Sequence, residues 1–208
     1  MKGRFITVEG IEGAGKTTCM DSIKELLTKS NIGYVSTREP GGTLLAEKIR
    51  NLLLDVDEDP PVALTELLLI FAARAQHIQK VIIPALSEGL WVLCDRFTDA
   101  TFAYQGGGRG MEDQLIAELE KITQQALRPD MTFYLDLSPE LGLARAKKRG
   151  NLDRFEKEEL EFFNNVRRAY LRLAEKNRDR YITIDAKNTE DRVAKEIKEI
   201  LIDRFSLK

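Results

Sequence analysis

With 208 residues, 32 basic and 34 acidic side chains and a formal charge of −2, the chain can form an α/β domain with a sizeable core. It lacks the basic excess of a dedicated nucleic-acid binder. The opening MKGRFITVEG reaches glycine too early for the apolar region of a signal peptide, and no apolar run approaches the ~20 residues of a membrane span, so a cytoplasmic chain without membrane contact is expected.

Phe5–Glu9 (FITVE) is a short β-branched run stopped by Gly10, which suits a buried parallel strand. From Lys16 to Lys29 the spacing turns helical, with Met20, Ile23, Leu26 and Leu27 on one face. Tyr34–Thr37 reads as a second strand, Glu39-Pro40-Gly41-Gly42 as a turn and Leu44–Leu54 as an amphipathic helix. A polar, proline-containing break over 55–61 leads into a long helical stretch from Ala63 to Glu88, expected to be disturbed near Pro84. Leu90–Asp95, Met131–Leu137 and Tyr181–Asp185 complete the strands, each pair separated by helical sequence. Short strands with helical crossovers imply an α/β fold, a five-stranded parallel sheet flanked by helices on both faces. No repeat or linker divides the chain, so residues 1–208 read as one domain. Cys19 and Cys94 read as buried free thiols of a reducing compartment, and His77, the sole histidine, as a helix residue without a chemical duty.

Gly10-Ile11-Glu12-Gly13-Ala14-Gly15-Lys16-Thr17 fits G-x-x-x-x-G-K-[ST] without a mismatch, directly after a strand and opening a helix. Glycines let the backbone wrap a phosphate with its N–H groups turned inward, and the helix N-terminus adds positive potential. Lys16 can reach β- and γ-phosphates, and the Thr17 hydroxyl can ligate Mg²⁺. With Thr18 beside them, these residues form the candidate ATP site. A second strand, LWVLCD, delivers Asp95 and Arg96 to the same rim. A carboxylate there suits the Mg²⁺ shell, and an arginine there suits a second anion, the phosphate of an acceptor.

Four stretches, in order and spread over most of the chain, resemble the thymidylate kinase family. They are EGIEGAGKTT with Glu12 in its second variable position, TREPGGT over 37–43, Asp95-Arg96-Phe97 followed by AYQGGGRG over 103–110, and KRGNLDRFE over 148–156. The resemblance implies a P-loop nucleoside-monophosphate-kinase fold, ATP and dTMP as substrates, and a homodimer. It implies that Arg38, Arg50 and Arg96 surround the 5′-phosphate of dTMP, that Glu12 accepts from the 3′-hydroxyl, and that Arg74 and Gln105 read the thymine edge with Thr101 close by. Tyr104 would fill the space of a ribose 2′-hydroxyl. A basic lid near 145–156 would close over ATP, with Arg149 and Arg154 joining Lys16 and Arg96 in catalysis, Arg145 against adenine, and Lys147 and Lys148 left to solvent. One departure stands out. The family's stacking phenylalanine, four residues before Arg74, is here Ile70, and Phe71 lies about 100° further round the helix. Ile70 is therefore the expected apolar contact for the base.

Other readings, a kinase for another deoxynucleotide or a nucleoside on the same scaffold first among them, are weaker. Three arginines for one phosphate disfavour a neutral nucleoside acceptor, a GTPase would need an N-K-x-D motif that is missing, and intact Lys16, Thr17 and Asp95 disfavour a regulator without turnover.

Overall fold

The computed structural model describes residues 3–55, 59–149, 153–156 and 158–207. The strands are β1 (Phe5–Glu9), β2 (Tyr34–Arg38), β3 (Trp91–Asp95), β4 (Met131–Asp136) and β5 (Tyr181–Asp185), all parallel in the order β2-β3-β1-β4-β5. Each lies within one residue of its expected bounds. Alternate residues of the central strands feed two cores. Ile6, Val8 and Leu93 face α1 (Lys16–Lys29), α8 (Leu160–Lys176) and α9 (Glu190–Phe205). Phe5, Val92 and Cys94 face Ile78, Ile82 and Ala85 on the opposite side. Both cysteines are buried and free.

The remaining helices are α2 (Leu44–Leu54), α3 (Ala63–His77), α4 (Ile83–Ser87), α5 (Thr98–Thr101), α6 (Asp113–Gln124) and α7 (Pro139–Arg149). A π-helical turn, Ile78–Ile82, joins α3 to α4. Proline at position 84 has no N–H and its ring crowds the carbonyl four residues back, at Lys80, so the chain widens one turn before Pro84 rather than at it. By length and composition alone the stretch Ala63–Ser87 could cross a membrane, which the sequence reading had not anticipated. Buried Glu66, Arg74 and His77 on it are all tied to polar partners elsewhere in the fold, as a domain helix requires.

Register places the reactive ends together. Val8 and Arg38 both pair with Asp95, so β1, β2 and β3 end in one row. The sheet order reverses at β1, and the loop after β1 opens there, at the position where open α/β sheets bind ligands.

Candidate active site

The loop over 10–15 turns tightly from β1 into α1. Gly13 has φ 74°, and a Cβ there would come within 2.3 Å of the Gly142 carbonyl oxygen on α7. Gly142 reciprocates: a Cβ on it would lie 2.6 Å from the Glu12 carbonyl oxygen. Two glycines thus let α7 lie directly against the loop. Lys16 Nζ donates to the carbonyls of Gly10 and Ile11, 3.1 Å each, which parks the ammonium over the loop. Burial holds its pKa below the usual lysine range, with Arg96 adding to the effect and Asp95 opposing it. Residues 12–18 line one broad cleft with Arg50, Asp95, Arg96 and Arg145, and residues 186–190 form its far wall. Arg145 donates to the carbonyls of Gly13 (3.3 Å) and Ala186 (3.2 Å). The 186–190 wall was missed in the sequence, where Ala-Lys-Asn-Thr-Glu carries no motif.

Arg96 stands where two clefts meet. Its φ of 68° is a left-handed conformation that costs a non-glycine residue about 1–2 kcal/mol, offset by its N–H donating to Val8 (3.0 Å). The guanidinium donates to Glu12 Oε1 at 2.7 Å and to the Tyr104 hydroxyl at 2.9 Å, and lies 4.6 Å above the Tyr104 ring. Tyr104 in turn donates to both Glu12 oxygens, at 3.0 and 2.8 Å. Burial pushes the Glu12 carboxyl up, but Arg96 and Lys16 outweigh it and hold Glu12 below its ordinary range. Behind this trio lies a group the sequence did not mark. Glu9 is fully buried, accepts from the Phe97 N–H (2.7 Å) and the Tyr170 hydroxyl (2.8 Å), and is pushed up to about 8 by burial and by Asp99.

The second cleft lies between α2, α3 and the Thr98–Gly108 stretch, lined by Glu12, Arg50, Ile70, Arg74, Arg96, Thr101, Tyr104 and Gln105. These are eight of the nine expected acceptor contacts. The ninth, Arg38, is 53% exposed, donates to Glu47 at 2.8 Å, and lines an adjoining cleft with Thr17 and Asp95. Arg50 donates to the Pro40 carbonyl at 3.0 Å. Burial holds its pKa below the arginine norm, and the neighbouring charges of Arg38 and Arg96 add to this. The three arginines are therefore neighbours, although Arg38 stands aside.

Arg74 is held on three sides. Nε donates to Glu39 at 2.6 Å, and one terminal nitrogen donates to Thr101 Oγ1 (2.9 Å) and the Phe97 carbonyl (3.2 Å). Its other terminal nitrogen is buried without a protein partner, and Arg74 is one of the residues lining the cleft. His77, expected as a helix residue without a chemical duty, ends α3 fully buried, and its two ring nitrogens bridge Glu39 Oε1 (2.9 Å) and Thr37 Oγ1 (2.7 Å), a structural tie the sequence did not indicate. Ile70 lines the cleft, whereas Phe71 packs with Leu67 and Ile116 beneath the Arg74 guanidinium, as the helical rotation requires. The glycine-rich segment after Arg96 is helical. It runs from α5 into a π-helical turn, Phe102–Gly108, which α8 approaches closely enough that a Cβ on Gly107 would meet Ala169 at 2.6 Å.

The basic segment divides. Arg149 ends α7, but its side chain, like Gly150 and Asn151, lies outside the described residues. Arg154 is brought to the acceptor half rather than to the loop over 10–15. It donates to the Leu53 carbonyl (2.9 Å) and to Glu66 (2.5 Å), because a turn closed by reciprocal Asp153–Glu156 contacts aims it there. Asp153 and Phe155 of this turn line the acceptor cleft; both lie within the 148–156 stretch, but neither was among the expected acceptor contacts. Lys147 and Lys148 are exposed.

No cluster of three or more His, Cys, Asp or Glu able to hold a metal exists among the described residues. A divalent cation held between phosphates and one or two protein oxygens does not need one. Asp95 supplies a buried carboxylate oxygen without a partner, and Thr17 lines the same cleft, so the residues fit such an ion.

Comparison with known proteins agrees with this geometry. The family model described as thymidylate kinase matches residues 8–197. A thymidylate kinase of Ectopseudomonas mendocina is 56% identical over 201 residues, covering 97% of this chain and 96% of its own. One from Hahella chejuensis is 51% identical over 192 residues, 92% of each chain. The crystal structure of thymidylate kinase from Ehrlichia chaffeensis superposes with a TM-score of 0.78 at 36% identity, covering 97% of this chain and 99% of that one.

Proposed function

The chain belongs to the thymidylate kinase family, and from that premise we propose how its residues divide the transfer of the γ-phosphoryl group of ATP to dTMP. The observation that carries the division is Arg96, which with Glu12, Arg50 and Asp153 lines both the cleft behind the P-loop and the cleft beneath Arg74, and which alone of these donates to both Glu12 and Tyr104. ATP occupies the first cleft, its β- and γ-phosphates over the N–H groups of 13–18 and Lys16, its adenine between Arg145 and the 186–190 wall. The acceptor occupies the second. Its 5′-phosphate meets Arg50 and Arg96, with Arg38 swinging from Glu47 when the anion arrives, and its 3′-hydroxyl donates to Glu12.

The free nitrogen of Arg74 donates to a thymine carbonyl, and Gln105 reads the neighbouring edge. Thr101 reaches the base only through Arg74. Tyr104 closes the space beside the sugar, and Ile70 packs on the ring. An oxygen of the acceptor phosphate forms the new bond to Pγ as the bond from Pγ to the bridging oxygen breaks, giving dTDP and ADP. The protein's part is to align the two and to neutralise charge, since a loose transition state leaves little covalent chemistry to do. Thr17 and Asp95 are the residues that would hold Mg²⁺, which when bound neutralises charge on the β- and γ-phosphates. Arg149, the last residue of the helix that touches Gly13, supplies positive charge to the transferring phosphoryl group. The single-domain reading over 1–208, the lid near 145–156, the homodimer, the cytoplasmic location and the absence of nucleic-acid or membrane partners belong to this proposal.

A coupled ADP-release assay with dTMP, dUMP, dCMP and thymidine tests it. dTMP should give the largest kcat/KM and thymidine none. A better rate with thymidine would move the enzyme to the nucleoside kinases. Arg149→Ala should lower kcat by ~10³ or more with little change in either KM, since arginines acting on transferring phosphoryl groups contribute about 10³–10⁵. A change confined to the KM for ATP would make the segment a binding flap.

A further inference from the structure

Glu66 stands in the first turn of α3 with 1% of its side chain exposed, yet no step above uses it. It gathers donors from three separate places. Gln105 Nε2 reaches Oε1 at 2.8 Å from the π-helical turn. Arg154 reaches Oε2 at 2.5 Å from the 153–156 turn, and Arg109 adds two longer contacts of 3.4 Å while holding Glu158 at 2.6 Å. From these contacts we infer that Glu66 is a positioning residue that ties the reading of the acceptor base to the docking of the lid segment.

A carboxylate only accepts, so it can bind Gln105 through the amide nitrogen alone, and this fixes which end of the amide faces the base. With Nε2 committed, the amide carbonyl is the acceptor left for a base N–H. A neutral partner in place of Glu66 would pair with the amide in either sense and lose that instruction. Arg154 makes the second link. Its guanidinium links Glu66 to the Leu53 carbonyl at the end of α2 and lies 4.5 Å above the Phe155 ring. Phe155 and Asp153 are walls of the same cleft into which Gln105 and Ile70 face. Phe155 meets Tyr104 edge to face at 6.0 Å. The segment that reaches over from α7 is thus fastened to the acceptor half by the carboxylate that orients the base-reading amide. A base that engages Gln105 steadies Glu66, and a steady Glu66 retains Arg154 and Phe155 over the base. This rests on the dTMP reading of the cleft, which the wild-type assay checks separately.

The test compares Glu66→Gln, Arg154→Met and the double variant of the full chain with wild type. KM is measured for dTMP and ATP, dTMP is measured against dCMP, and amide exchange is followed over 153–156. Glu66→Gln should raise the KM for dTMP roughly tenfold, the size of one weakened charge-assisted contact, and leave the KM for ATP within about twofold. It should narrow the preference for dTMP over dCMP and speed exchange over 153–156. Arg154→Met should reproduce the faster exchange with a smaller rise in KM, and the double variant should be no worse than Glu66→Gln alone. A Glu66→Gln enzyme that merely melts earlier, with both KM values and exchange unchanged, would overturn the inference, as would additive losses in the double variant. Should Glu66→Gln not fold, Arg154→Met decides by itself: unchanged exchange and unchanged KM for dTMP sink the coupling. A wild-type enzyme inactive on dTMP would sink the substrate reading, while the exchange arms would still judge the link.

Discussion

The two halves of the site are built in opposite ways. The donor cradle is local: nine consecutive residues, Gly10–Thr18, hold the turn, the lysine and the hydroxyl, and even the resting partners of Lys16 are its own loop carbonyls. The acceptor pocket is assembled from afar. Arg74 depends on Glu39, Thr101 and Phe97, Gln105 on Glu66, and Arg96 on Glu12 and Tyr104, across separations of up to 84 residues. A local cradle fails when one of its own residues changes. A distributed pocket fails by degrees, through residues that never touch the ligand.

The largest effect expected from that contrast is at Lys16. Lys16→Ala should cost at least ~10² in turnover, on the scale of one lost donor to a charged transition state, while circular dichroism stays native. No second basic residue stands in the loop to share the duty. Retention of more than about a tenth of the activity would show that the cradle is less self-sufficient than its geometry says.

Arg96 sharpens the comparison because it serves both halves. Arg96→Ala should raise the KM for dTMP by an amount corresponding to about 1.5–3 kcal/mol, with a smaller change for ATP. Its neighbours Glu12 and Tyr104 would lose their shared donor, so a part of the loss is disorder of the pocket. Equal losses in dTMP and ATP titrations would instead assign Arg96 to the donor half.

The same contrast explains what the sequence disclosed. Strand bounds came through because β-branched runs ending at Gly10 or Asp95 are local signals, and so did the P-loop. Ile70 and Phe71 could be told apart because helical rotation is fixed by spacing. What stayed hidden was non-local: His77 and Glu39 behind Arg74, Glu66 behind Gln105, Glu9 behind Arg96 and Phe97. Each is a polar residue whose partner is supplied only by the fold. Arg154 looked like a lid cation because it lies in a basic run, and only the turn closed by Asp153 and Glu156 sends it to Glu66.

Glu9 offers a break in the comparison through pH. Its folded pKa is raised from 4.5 to about 8, chiefly by burial and then by Asp99, so between those values the native state holds a proton that the unfolded chain has released. Unfolded chains then bind fewer protons than folded ones, and the linkage slope is negative: this group's contribution to stability falls as pH rises from about 4.5 to about 8. Glu9→Gln, which mimics the protonated form, should flatten that fall in urea titrations across pH 5–8. An unchanged slope would mean that Tyr170 and Phe97 keep Glu9 ionised, and that the acceptor half tolerates a buried charge there.

The smallest effect expected is at Ile70, where the chain departs from its family. Replacing Ile70 by phenylalanine would add a ring beside the base, and an aromatic contact is worth about 0.5–1.5 kcal/mol beyond its buried area. Against this stands packing, since Ile70 belongs to a cluster with Ala46, Ile49, Leu53 and Ala73, where extra volume costs roughly 1–3 kcal/mol of stability. The two terms act on different measurements. Overpacking lowers the melting temperature of the free enzyme, whereas stacking lowers the KM for dTMP, because the cleft in front of position 70 is open and a ring can extend into it. The expected outcome is a KM for dTMP lower by about two- to tenfold, an unchanged KM for ATP, and a small loss of thermal stability. A higher KM for dTMP would place the base away from position 70. The aromatic wall would then be the one that Phe155 supplies from the lid segment, and Phe155→Leu should weaken dTMP binding where Ile70→Phe did not help.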